Sequence, residues 1–285
     1  MKIIRSALAI VGAAALAGMT AGAAKSAGIW NESCEKYIQA AESYVSGAMD
    51  FLENVNNVGL STEKHGYGQG VIVDGENRPV GATDFNAAYS QYGAYALKET
   101  DEKVIYLTFD QGYENGYTAA ILDTLKEKGV KATFFVVGDY AKRNEELVKR
   151  MIDEGHTVGN HSMSHYSMPD LSQAECFDEI NSLHEYVKEH YGYEMKLFRP
   201  PMGEFSEASL EYTKECGYET VLWSFAYADW NVNKQPDPAQ AMEKIVSAAH
   251  GGAVYLLHSV SQTNAKILGD VIDRLTEQGY TFAAL

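Results

Sequence analysis

The chain has 285 residues, 46% hydrophobic and 22% charged, the make-up of an ordinary globular protein with room for one large domain or two small ones. Its formal net charge of −16 argues against nucleic acid or an anionic membrane surface as partner, since both would repel it. Cys34, Cys176 and Cys216 allow one disulfide and a spare thiol, no pairing follows from their spacing, and no C-x-x-C unit marks a metal or redox site.

Residues 1–27 read as a signal peptide: Lys2 and Arg5, an apolar run over 7–17, then Ala21-Gly22-Ala23 as a small-residue cleavage site. The apolar run is short for a membrane span. Secretion is expected, with an uncleaved N-terminal anchor as the alternative. Loss of this segment, which carries Lys2, Arg5 and Lys25 and no acid, takes the net charge to −19.

Residues 28–102 read as an N-terminal extension. A long helix is predicted over 31–57, where Cys34, Ile38, Ala41, Val45, Ala48, Leu52 and Val55 form one apolar seam. Coiled-coil pairing is conceivable, but a short seam containing Ala and Cys suits packing on the helix's own domain better. From 59 to 100 the periodicity disappears. This Gly- and Tyr-rich stretch, with His65-Gly66-Tyr67-Gly68 and Tyr89, Tyr92 and Tyr95, reads as an irregular segment lying on the next domain.

Residues 103–285 form that domain. Its first stretch, 104–112, begins as a β-branched, apolar strand and stops at Asp110, where the carboxylate either faces a pocket or caps a turn or the next helix. Four times afterwards a helix ends in a glycine and an apolar strand follows: Gly129 before 132–137, Gly155 before 157–159, Gly217 before 220–223, Gly279 before 281–283. Another helix opens with the capping box Ser172 and Glu175 and carries Phe177, Ile180, Leu183 and Val187 on one face. Strands alternating with helices predict an α/β fold with a parallel sheet. Because no glycine-rich nucleotide fingerprint follows the first strand, a barrel is expected rather than a doubly wound sheet.

In a parallel α/β barrel the reactive groups stand at the carboxyl ends of the strands. Those ends carry Asp110, His161 and His165, Arg199, Asp229 with Trp230, and His258. Two histidines four apart suit one divalent ion held through imidazole nitrogens, and equally suit two solvated loop residues. Arg199 before Pro200 and Pro201 also fits a rigid turn, Asp229-Trp230 a turn with a core aromatic, and His258 a core histidine bonded to a carbonyl. Five such features at successive strand ends are not explained one by one.

These motifs resemble the polysaccharide deacetylases that share the NodB-homology domain: Thr108-Phe109-Asp110, His161-Ser-Met-Ser-His165, Arg199-Pro200-Pro201-x-Gly203, Asp229-Trp230 and Leu256-Leu257-His258, in order over about 103–285. The stretches 106–118 and 223–230, with Tyr92-Gly93-x-Tyr95, are most similar to the branch that deacetylates muramic acid on the way to the δ-lactam of spore-cortex peptidoglycan. The resemblance implies a distorted (β/α) barrel and a secreted hydrolase removing N-acetyl groups from peptidoglycan amino sugars. It implies a divalent metal, zinc first, on His161 and His165. It makes Asp110 the base held by Arg199, His258 the acid oriented by Asp229, Met202 a backbone oxyanion donor, and Leu256 the wall of the acetyl pocket, with Trp230 beside the substrate. Most of the family has a carboxylate as third ligand where this chain has Gln111. That leaves Gln111 ligating through its oxygen, pointing away, or marking weaker activity. Two other functions stay open: an N-acetylglucosamine deacetylase, and a wall-binding module that has lost the metal.

Overall fold

A computed structural model of the protein describes residues 59–285, of which 61–285 form one compact unit. The expected leader over 1–27, the helix over 31–57 and Cys34 lie outside the described residues.

The centre of the unit is strand β3 (Val104–Gln111), buried at every position but Tyr106. A strand buried on both faces needs neighbours on both sides. Here β4 (Thr133–Val136) and β10 (Thr281–Ala283) pair with it in parallel, as does β9 (Ala253–His258). The eight-stranded sheet continues from β4 through β5 (Thr157–Asn160), β6 (Leu197–Phe198) and β8 (Glu219–Val221) to β2 (Ala94–Tyr95), every pairing parallel. A bridge from Phe225 to Tyr255 draws the far side back to β9. The result is a curled parallel half-barrel with helices outside it, the (β/α) architecture of the NodB type.

The helices read before these glycines and at the capping box form as expected. The four glycines after them, Gly129, Gly155, Gly217 and Gly279, all take positive φ, the left-handed stop that a Cβ would strain. Helix α5 (Gln173–Tyr191) opens on the Ser172–Glu175 capping box. It buries Ile180, Leu183 and Val187, while Phe177 stays half-buried against Tyr212.

Residues 59–102 hold more order than their sequence suggests. They contain helix α1 (Val80–Tyr89) and strand β2, which adds the edge to β8. Helix α1 is hard to read because its buried face is only Ala82, Phe85 and the polar Asn86. Asn86 does what an apolar residue would not: its amide donates to Leu97 O at 2.9 Å and its oxygen accepts from Ala96 N at 2.7 Å. A two-stranded antiparallel ribbon of β1 (His65–Gly66) and β7 (Glu204–Phe205) ties the same segment to the chain just after Met202.

Candidate active site

Strand register brings the two ends of the constellation together. Asp110 at the end of β3 stands opposite His258 at the end of β9. Both line a cleft of about 490 Å³ with His161, His165, Met202, Trp230 and Leu256, and with Gly112, Gly203, Trp223, Ala226 and Tyr227. Arg199 lies beneath it, fully buried.

Arg199 makes every kind of contact a guanidinium can. Nη1 donates to Asp110 Oδ1 and to Thr108 Oγ1, both at 2.8 Å, Nε donates to Val221 O at 3.0 Å and Nη2 to Leu222 O at 3.1 Å. Its plane also lies 4.1 Å from the Phe135 ring centre. Burial would push the Asp110 carboxyl up, but the charge of Arg199, with smaller help from His258, holds it below its ordinary value. Asp110 is therefore a carboxylate at neutral pH.

The second pair is built the other way round. Asp229 is fully buried, whereas the His258 side chain is 23% exposed. His258 Nδ1 donates to Asp229 Oδ1 at 2.7 Å and its backbone N–H to Oδ2 at 2.8 Å. Burial opposes a charge on His258, yet the bond to Asp229 and the charges of Asp229 and Asp110 outweigh it and raise its pKa above the ordinary 6.5. An ionised acid and a histidine inclined to keep its proton thus face one another across a single cleft.

The His161–His165 turn is tightly wound: Ser162 and His165 both sit at positive φ. Asn160 Oδ1 accepts from Ser162 N at 2.9 Å, Ser162 Oγ from His165 N at 2.8 Å, and Glu179 Oε2 from Ser164 N at 2.7 Å. His161 Nδ1 donates to Arg199 O at 2.7 Å, so its lone pair is on Nε2, 3.6 Å from Asp110 Oδ2. The two rings meet edge-on at 4.9 Å. Burial lowers both imidazole pKa values, His161 to about 4, which leaves them neutral. Neutral imidazoles with an oriented ring are donors that suit a divalent ion. Among the described residues no set of three or more His, Cys, Asp or Glu side chains is placed to hold a metal. Gln111 stands apart from the cleft wall: it is fully buried, its amide nitrogen donates to Ser259 Oγ, and its Oε1 has no partner.

Met202 takes φ +60° at the lip of the cleft and is 55% exposed, as Trp230 is 56%. Spacing in the sequence pointed to neither Tyr227 nor Trp223 on the cleft wall, nor to Asn160 and Glu179 beneath the histidine turn. Trp223, Tyr227 and Glu179 have their partners far along the chain, so no local pattern marks them, and the Asn160–Ser162 bond is a local turn that carries no site signal of its own.

A carboxylate and a protonated histidine held in one cleft at the rim of a parallel (β/α) half-barrel fit an amide hydrolase, and comparison with known proteins agrees. The polysaccharide deacetylase family matches over residues 97–221. The peptidoglycan-N-acetylmuramic acid deacetylase PdaA of Bacillus subtilis is 46% identical over 208 residues, 73% of this chain and 79% of that protein. Its structure, that of a family 4 carbohydrate esterase, superposes with a TM-score of 0.75 at 43% identity, covering 79% of this chain and 96% of that one. A peptidoglycan-N-acetylglucosamine deacetylase of Bacillus cereus is 36% identical over 191 residues, 65% of this chain and 87% of that protein. The chain belongs to the polysaccharide deacetylase family and is a polysaccharide N-deacetylase.

Two predictions follow from the paired charges. Arg199→Met leaves Asp110 buried and unpaired, so it should destabilise the fold by about 3–5 kcal/mol, and adding Asp110→Asn should recover part of that loss. Denaturant unfolding of the four proteins in a double-mutant cycle checks this; additive losses would mean the pair is not coupled. His258 should titrate above pH 6.5. A raised folded-state pKa contributes stability that is complete below 6.5 and lost as pH rises through the folded value. Asp229→Asn removes the opposing charge, and the His258 midpoint, read by NMR, should fall below that of the unaltered protein; an unchanged midpoint would mean Asp229 does not raise it.

Proposed function

We propose that the protein is an extracytoplasmic peptidoglycan N-deacetylase that removes the acetyl group from N-acetylmuramic acid, with a divalent ion, zinc first, held by His161 and His165. The observation that carries the chemistry is the pairing of Arg199-bound Asp110 with Asp229-bound His258 across one cleft. Amide hydrolysis needs a base for water and an acid for a poor leaving group, and these are the two states the surroundings impose. The muramic acid reading is supported by the 46% relative and by the stretches 106–118 and 223–230. The leader over 1–27 supports export, and the likeness to the δ-lactam branch supports a role in spore-cortex peptidoglycan.

On this reading Asp110 Oδ2 takes a proton from the attacking water as it adds to the acetamide carbonyl carbon. The backbone N–H of Met202, in its left-handed turn, donates to the oxygen on which charge develops. His258 Nε2 then gives its proton to the sugar nitrogen as the C–N bond breaks, releasing acetate and a free amine. Leu256 lines the pocket for the acetyl methyl, and the exposed face of Trp230 meets the sugar ring. The ion, when bound, supplies Lewis-acid polarisation and lowers the pKa of water. Arg199 moves no proton; it keeps Asp110 ionised and in place.

The N-acetylglucosamine reading has the 36% relative in its favour and shares all of this chemistry. Mass spectrometry of digested, stem-free peptidoglycan fragments after incubation separates the two. Loss of 42 Da confined to muramic acid is expected; loss confined to glucosamine would reject the proposed sugar. Metal is tested without turnover: His161→Ala/His165→Ala should lose the bound divalent ion in elemental analysis while remaining folded, and retained metal would remove the assignment.

A further inference from the structure

We infer that Asn264 is a positioning residue for His258, held by Tyr227 in the one orientation that serves this purpose; the inference rests on the reading of His258 as the acid. Asn264 is 2% exposed, in the first turn of helix α8 (Gln262–Glu277), where its N–H donates to the cap Ser261 Oγ at 3.2 Å. Its Nδ2 donates to Asp229 Oδ2 at 2.5 Å and to His258 O at 3.2 Å. A carboxylate and a carbonyl can only accept, so the amide nitrogen must face them and Oδ1 must face away. There Oδ1 accepts the hydroxyl of Tyr227, a cleft residue whose phenol burial keeps protonated. The amide therefore has no alternative rotamer by flipping.

The consequence falls on Asp229. Oδ2 takes two donors, Asn264 Nδ2 and the backbone N–H of His258, which leaves Oδ1 for His258 Nδ1. With both oxygens engaged the carboxylate cannot rotate, and the imidazole plane bonded to it is fixed with Nε2 toward the cleft. The same helix start also holds the Asp229 backbone: Ser261 Oγ donates to Gln235 Oε1 at 2.7 Å, and Gln235 Nε2 donates to Asp229 O at 3.1 Å. Packing alone would be served by leucine. The side-chain bonds of Asn264 all end on the Asp229–His258 pair or on the cleft wall.

A residue that aims an acid matters for a leaving group that needs a proton and not for one that does not. We would compare deacetylation of stem-free N-acetylated peptidoglycan fragments with hydrolysis of 4-nitrophenyl acetate, whose phenolate leaves unaided. Asn264→Ala should lower kcat on the glycan by about 10–100-fold with KM little changed, and spare the ester within about twofold. It should also broaden or shift the His258 Nδ1 proton in ¹⁵N-histidine NMR. Should Asn264→Ala fail to fold, Asn264→Ser keeps a polar group at the helix start but is too short to bridge Asp229 Oδ2 and Tyr227, and it should slow the glycan about fivefold, the worth of one hydrogen bond, with the same sparing of the ester. Equal losses on both substrates, or none on the glycan, would overturn the inference. His258→Ala is the reference: if it slows the glycan while Asn264→Ala does not, the positioning role alone falls. If His258→Ala spares the glycan, the acid reading itself falls and this inference with it.

Discussion

The ion pair between Arg199 and Asp110 is the interaction on which the rest of the site depends. A guanidinium with no solvent exposure is tolerable only if its donors are satisfied and its charge matched. The half-barrel meets both needs from several strands. Asp110 and Thr108 come from β3, Val221 O from β8 with Leu222 O just beyond it, and the Phe135 ring from β4. The curl of the sheet is thus what brings these partners within reach of one side chain. The carbonyl of Arg199 also receives His161 Nδ1, so one residue fixes the charge of Asp110 and the tautomer of His161. The geometry of the histidine turn and that of Asp110 cannot drift apart independently.

The two carboxylate–cation pairs differ in the member they favour, and that difference is the chemistry. Against Asp110 stands a guanidinium, which does not titrate, so the pair can respond to burial only by holding the carboxylate ionised. Against Asp229 stands an imidazole, which does titrate, and the pair responds by raising it. The same element of physics, a carboxylate beside a cation out of water, favours a bare carboxylate in one place and a protonated imidazole in the other, the two states the proposed base and acid require. They meet because β3 and β9 run in parallel with Asp110 and His258 in register.

Much of this was legible in the chain. Strand ends, glycine stops and the Ser172–Glu175 box are local signals, since each depends on backbone geometry within a few residues. The residues Asp110, His161, His165, Arg199, Asp229 and His258 could be read as one rim because parallel sheets put their carboxyl ends on the same side. What escaped is long-range. Asn86 bonds ten and eleven residues on, Glu179 supports a turn fifteen residues earlier, and Asn264 reaches back thirty-five residues to Asp229. Each is a polar residue inside an otherwise helical pattern, where its partner cannot be inferred from spacing. Gln111 could be noticed as a departure, but that its amide bonds Ser259 follows only from the β3–β9 pairing.

Four non-glycine residues take left-handed backbone among the described residues, and Ser162, His165 and Met202 are three of them, all at the cleft. Such positions cost about 1–3 kcal/mol each and persist only where their surroundings leave no easier arrangement. Those surroundings are visible. Gly138 lets the Met163 side chain and carbonyl approach so closely that a Cβ would lie 2.1 Å from its sulfur, while Ser162 O and Met163 O both accept from Gly138 N. Gly203, itself at φ +67°, gives Trp223 room where a Cβ would meet the ring at 2.7 Å. Trp223 is in turn held by Gln69 and Tyr67 from the segment before the first long strand. The strained lip at Met202 is therefore braced by residues that precede the core strands in the chain, which explains why 61–102 belongs to the same compact unit as the cleft. A segment that reads as irregular by periodicity, lying on the next domain, thus holds the cleft wall against which the Met202 turn is set.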